Sequence, residues 1–279
     1  MLAPVLFALL AAVEAPPAGS AADRPTVELT SSFFQGGGAA PDNRNALALI
    51  ASAHTALEID TLSFGASFGW IRLSQPGAGG PLVASHVSNA LAWGSYRVGL
   101  ARGLTLDFGA TLVAGLTATD PTPHRRVLRA ALGHGIAMQG VYDAGLWAPG
   151  RAGFALPIRL EDRHRLGHWS GTARLDGAFL TTIPSSAENE QDMGRVVQAG
   201  AEYALLPRPW LAAGGRLQFV WMPRSQLWKT QWSVLPFLAV MRGRWRVAAD
   251  LLVNLDEPYG FAGHGQRIWA ASLKVGAWL

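Results

Sequence analysis

The sequence predicts an all-β fold, an antiparallel up-and-down transmembrane β-barrel of about 12 strands. Three observations carry that expectation. Long stretches alternate apolar and polar residues with a period of two, as in "LTLDFGATLVAGL" at 104–116, the pattern of a strand with two unlike faces. The links between such stretches fall into two alternating classes, short and long. The chain is apolar and only 15% charged, against about 25% in soluble domains. Beyond the N-terminus, however, no apolar run approaches the roughly 18 residues of a membrane-spanning helix.

The elements follow in order. Leu2 to Val13 is apolar and Ser20, Ala21 and Ala22 are small, so residues 1–22 read as a cleavable export signal, although no Lys or Arg precedes the apolar part. Residues 23–279 are then the barrel. There is no cysteine, so neither a disulfide nor a lipoprotein anchor is expected. The first candidate strands are 26–34 and 45–57. At 62–70, Leu62, Phe64, Ala66, Phe68 and Trp70 alternate with Ser63, Gly65, Ser67 and Gly69. Strands at 88–100, 104–116, 151–160, 169–183 and 196–205 come next, then 210–221, 228–241, 245–255 and 267–279. In 228–241 both phases are apolar, so its facing stays open.

Short links are expected at 58–61, 101–103, 161–166, 206–209 and 242–244. Longer ones, rich in Gly, Pro, Asn, Asp and Ser, fall at 35–44, 74–87, 118–150, 184–193, 222–227 and 256–266. Strands of about 12 residues exceed the usual five or six and suit a tilted membrane crossing of about 9–11. Closing the sheet pairs every backbone group, the one β solution in hydrocarbon. A soluble barrel would hide its Leu and Phe face inside. Here that face is large, and the opposite face carries the charges, so the apolar side is expected to meet lipid. Trp70, Trp169, Trp210, Trp221, Trp245 and Trp269 fall near strand ends, where an aromatic girdle would lie.

On this phase assignment the lumen receives Arg97, Asp107, Arg151, Arg159, Arg174, Asp176, Glu202, Arg216, Arg246, Asp250 and Lys274. Basic groups outnumber acidic ones in that set. An open, water-filled pore so lined attracts anions modestly. Alternatively the charges pair across strands and plug the interior, and the short spacings Arg174–Asp176 and Arg246–Asp250 make pairing easy. The longest link, 118–150, is the expected constriction. Val127, Leu128, Ala131 and Leu132 have roughly helical spacing, and an inward fold would bring Arg125, Arg126 and Arg129 to the mouth. A surface loop packed on itself is the other reading.

By this pattern the chain resembles the outer-membrane β-barrel proteins of Gram-negative bacteria over nearly all of residues 23–279. Their last strand alternates apolar residues and ends in an aromatic. Here Ala271, Leu273, Val275, Ala277 and Leu279 keep the alternation, with Trp278 one place early. The resemblance implies an outer-membrane location among lipids and lipopolysaccharide, insertion by the barrel-assembly machinery, and porin-like passive diffusion of small polar or anionic solutes without a cofactor. Outer-membrane phospholipases and lipid A deacylases place His and Ser two apart on a lipid-facing strand, and His86-Val87-Ser88-Asn89 looks like that arrangement. A lipid hydrolase using His86 and Ser88 is therefore the alternative, and a closed anchor barrel a third; a non-enzymatic channel is the expectation. The histidines are scattered, with His164 and His168 lacking an evident carboxylate partner, so no metal site is expected. Although the isoelectric point is near 9.9, the basic residues are dispersed and point to no nucleic acid.

Overall fold

A computed structural model describes residues 26–36, 46–75, 80–116, 144–147, 152–183, 195–221, 223, 230–255 and 269–278. The expected signal at 1–22 lies outside them. Thirteen strand segments form one sheet: β1 (Thr26–Gly36), β2 (Ala46–Ile59), β3 (Leu62–Gln75), β4 (Leu82–Val87), β5 (Ala90–Ala101), β6 (Leu104–Ala114), β7 (Ala152–Leu166), β8 (Trp169–Ile183), β9 (Arg195–Arg208), β10 (Leu211–Trp221), β11 (Thr230–Arg242), β12 (Trp245–Asn254) and β13 (Trp269–Trp278). A four-residue helix, α1 (Ala144–Trp147), lies between β6 and β7.

Each strand pairs antiparallel with its sequence neighbour, and β13 returns to β1 from Thr26↔Trp278 to Gln35↔Trp269. The ring therefore closes and leaves no sheet edge, as hydrocarbon requires. Segments β4 and β5 both pair with β3, at Trp70↔Val87 and Ser67↔Leu91. They are one strand broken by an extra residue at Ser88–Asn89, a β-bulge, so thirteen segments make a ring of twelve. Pro157 and Pro236 have no N–H to give, and the β6–β7 and β11–β12 ladders are interrupted beside them.

The links alternate short and long, but the one expected at 74–87 is shorter, because β3 runs to Gln75 and β4 pairs back onto it from Leu82. Tight turns join β2–β3, β5–β6, β7–β8, β9–β10 and β11–β12, with left-handed backbone at Asp60, Gly103, Gly167 and Gly243. Gly103 is doubly required: its φ is +85°, and a Cβ there would overlap the Arg163 carbonyl. One expected turn is displaced. Residues 161–166 continue β7 and pair with β8 as far as Leu166↔Trp169, because the charged run carries the strand past the apolar zone before Gly167 turns it.

The two faces are unlike. Outward stand Phe64, Phe68, Phe108, Leu112, Phe154, Ile158, Leu175 and Leu251, all exposed. Inward stand Ser67, Asp107, Thr111, Asp176, Gln198 and Gln218, all buried. The ambiguous strand resolves too: Gln231, Ser233, Leu235 and Ala239 face in, while Trp232 and Leu238 face out. Exposed tryptophans ring both ends of the apolar band, with Trp169, Trp210 and Trp245 at the tight turns and Trp70, Trp221, Trp232 and Trp269 towards the long links. Between Trp210 and Trp221 runs the 11-residue β10. At about 3.3 Å per residue and about 40° of tilt it rises about 25 Å, the height of an outer-membrane apolar band.

Candidate functional site in the barrel lumen

The lumen is built from two levels. Nearer the tight turns, inward side chains from β5 to β10 form two ionic clusters, here called the ladder, on adjoining strands. Arg97 Nε lies 2.8 Å from Asp107 Oδ1, with Glu58 at 3.8 Å from Arg97 Nη1. Arg159 stands in register between Asp107 and Asp176. Arg216 forks onto Asp176, with Nη1–Oδ2 at 2.8 Å and Nη2–Oδ1 at 2.7 Å, and has Glu202 at 3.7 Å. Arg174 joins Glu202 at 3.1 Å to Glu161 at 2.6 Å, and Arg163 meets the other Glu161 oxygen at 2.6 Å. Across the lumen Lys274 lies 3.1 Å from Asp250.

Local sequence explains the positions. On β8 the period of two sends Arg174 and Asp176 inward and Leu175 outward. Gly200 on β9 leaves room for the fork, since a Cβ there would overlap the Arg216 guanidinium and the Asp176 carboxylate. Gly65 does the same for Trp93, whose ring lies where its Cβ would be. Bidentate Arg–carboxylate pairs are strong and geometrically selective.

Nearer the long links the wall is neutral and tightly packed. Ser233 donates to Asn254 Oδ1 at 2.7 Å and Gln231 Nε2 donates to the same oxygen at 3.1 Å. Helix α1 lies inside the barrel against β3, β5 and β7, with Leu146 and Trp147 fully buried. Of the long link, residues 144–147 lie inside the barrel; the inward helix expected near 127–132 is outside the described residues. Arg125, Arg126, Arg129 and the apolar residues 127–132 lie outside the described residues, as does Arg151.

Every other charge assigned to the polar face does face in: Arg97, Asp107, Arg159, Arg174, Asp176, Glu202, Arg216, Arg246, Asp250 and Lys274. Two acids were missed. Glu161 was hidden in the displaced turn, and Glu58 in a strand end read as a link. With them the excess of basic groups nearly disappears, and the pairing half of the expectation holds alongside the polar lumen. His164 does have partners, Asp162 Oδ2 at 3.1 Å and the Tyr203 hydroxyl at 3.1 Å, on the outward face at the turn end.

The lipid-facing reading of His86 and Ser88 is corrected. The bulge after Ser88 breaks the phase, so Val83, Ser85 and Val87 are exposed while His86 is half-buried and Ser88 fully buried. Ser88 Oγ accepts the Gly69 N–H at 2.6 Å and donates to the Asn89 carbonyl at 2.7 Å. Alternation carried across 86–92 cannot reveal an inserted residue; only the partner register does.

The chain is similar in structure to an outer membrane channel from Pseudomonas putida F1, with a TM-score of 0.57 at 12% identity over 96% of this chain and 98% of that one. It is also similar to the NanC porin, with a TM-score of 0.52 at 8% identity over 90% of this chain and 100% of that one. No family model and no curated protein sequence matches it. The fold is that of bacterial outer-membrane β-barrels, and the apolar outer wall between two tryptophan girdles suits a lipid bilayer.

Proposed function

We propose that the protein is a narrow, passive outer-membrane channel for small polar solutes, with no covalent chemistry and no cofactor. One observation carries the reading. Arg97, Arg174 and Lys274 point into the barrel yet keep 35%, 33% and 36% of their side-chain surface accessible, as groups do in a water-filled space. In this reading the loop-side level, where α1 enters, sets the size limit. Because acids and bases nearly balance around the ladder, neutral and zwitterionic solutes are favoured and the preference for anions is slight. That similar barrels are by name a channel and a porin fits this reading. The surroundings are outer-membrane lipids and lipopolysaccharide, and the alternation of β13 suits insertion by the barrel-assembly machinery.

Liposome swelling tests it. Proteoliposomes are expected to swell in small neutral sugars and amino acids, at rates that fall steeply with solute size. No swelling by a correctly folded barrel contradicts the proposal. It favours the second reading, a closed anchor barrel, for which the buried Leu146 and Trp147 speak.

A further inference from the structure

Two neighbouring tight turns bring three arginines and two tryptophans together on the rim of the barrel. The β9–β10 turn, "LPRPW" at 206–210, contributes Arg208 and Trp210. The β11–β12 turn, "MRGRW" at 241–245, contributes Arg242, Arg244 and Trp245. The turns are tied to each other, because the Met241 N–H donates to the Trp210 carbonyl at 2.8 Å. Beneath them Leu206 and Met241 pack on the buried Ala212, Ala239 and Ala248. Proline on both sides of Arg208 stiffens the first turn, and the Arg244 carbonyl anchors the second by accepting the Trp278 N–H at 2.9 Å. The cluster is therefore held in place.

Its charge has no answer within it. Neither turn carries an acid, Arg208 and Arg244 are exposed, and among the described residues no ion pair reaches any of the three arginines. The guanidiniums lie against the girdle. That of Arg244 is 5.5 Å from the Trp245 ring centroid and that of Arg208 is 6.0 Å from the Trp210 centroid, within cation–π reach. Trp245 is exposed on the outer wall, and the apolar band begins there, with Leu238 and Leu251 exposed below it.

We propose that this cluster is a docking site for an anionic phospholipid in the leaflet at the tight-turn end. A guanidinium fork matches the oxygens of a phosphodiester. Cations without a protein partner favour a lipid of net negative charge over a zwitterionic one. Contact with the two indole rings keeps the guanidiniums at the level where headgroups meet acyl chains. A free inorganic anion satisfies the charge alone, whereas an anionic phospholipid satisfies the charge and covers the adjoining apolar wall. The site lies outside the lumen and does not depend on an open pore.

Native mass spectrometry of the folded barrel in detergent tests it, with dioleoyl phosphatidylglycerol and dioleoyl phosphatidylcholine as probes. Phosphatidylglycerol is expected to bind about fivefold more tightly than phosphatidylcholine and to resist equimolar inorganic phosphate. Combining Arg208→Gln, Arg242→Gln and Arg244→Gln is expected to abolish the preference. Arg102→Gln, on the β5–β6 turn, which has no tryptophan, is expected to leave it intact. Heat-modifiable migration on gels identifies the folded fraction of each variant. Equal binding of the two lipids by the unaltered barrel overturns the proposal without need of any variant. Displacement by phosphate makes this a site for free anions and overturns the lipid assignment. A loss with Arg102→Gln as large as with the triple variant overturns the location.

Discussion

Arg216 and Asp176 meet over Gly200, and the pair shows what alternation reveals at the scale of a residue and what it hides. That both side chains face inward is written in "WSGTARLDGAFLTTI" and "WLAAGGRLQFVW", where each shares a face with other polar residues. That they find one another is not, because the fork joins positions 40 residues apart and depends on the register of β9 between them. Asn89 is further from sight still, since its inward position exists only because of an inserted residue. The energetic consequence of the fork is direct. Asp176 is 2% and Arg216 13% exposed at the side chain, so removing the acid strands a nearly dry guanidinium, a loss of about 3–5 kcal/mol. Asp176→Ala is accordingly expected to lower stability by that order in urea unfolding from lipid vesicles, with Glu202 at 3.7 Å holding the loss towards the lower end. Gly200→Leu is expected to act in the same direction by displacing both partners. Stability unchanged in both variants contradicts the ladder.

Within one strand, two neighbouring residues can live in opposite solvents. Arg174 on β8 reaches two carboxylates inside the barrel, and Leu175 beside it is exposed on the outer wall. Arginine is therefore tolerated at 174 and penalised at 175, where it meets hydrocarbon. Leu175→Arg is expected to cost about 2–4 kcal/mol if its depth is near the bilayer centre, read as a lower urea midpoint in vesicles. A cost near zero contradicts the lipid-facing assignment. The same two-solvent rule made most elements legible, down to the strand at 104–116. It failed where the pattern was overridden: at 161–166, where a charged run looks like a turn but continues β7, and at 86–92, where the bulge shifts the phase. In 228–241 the apolar content masked the alternation, although Gln231 and Ser233 carry the inward phase and Trp232 the outward one.

For the whole molecule, ring closure, an apolar wall with a tryptophan girdle at each end, and a charged lumen make one consistent design. Strand number and closure could be anticipated because backbone groups in hydrocarbon have no other β solution. The place of α1 at 144–147 could not, because four residues of helix leave no periodic trace. Charge balance adds a prediction at this scale. Glu161→Gln with Glu202→Gln removes two acids from the ladder, and the reversal potential across a salt gradient is expected to move towards anion preference; a shift towards cations contradicts the inward placement of these groups. The central claim is that a hydrated path crosses this barrel. Its most direct test is single-channel recording of the refolded, heat-modifiable protein in a planar bilayer. Discrete conductance steps with weak ion selectivity are expected, and the absence of steps from a barrel shown to be folded and inserted would contradict a hydrated path.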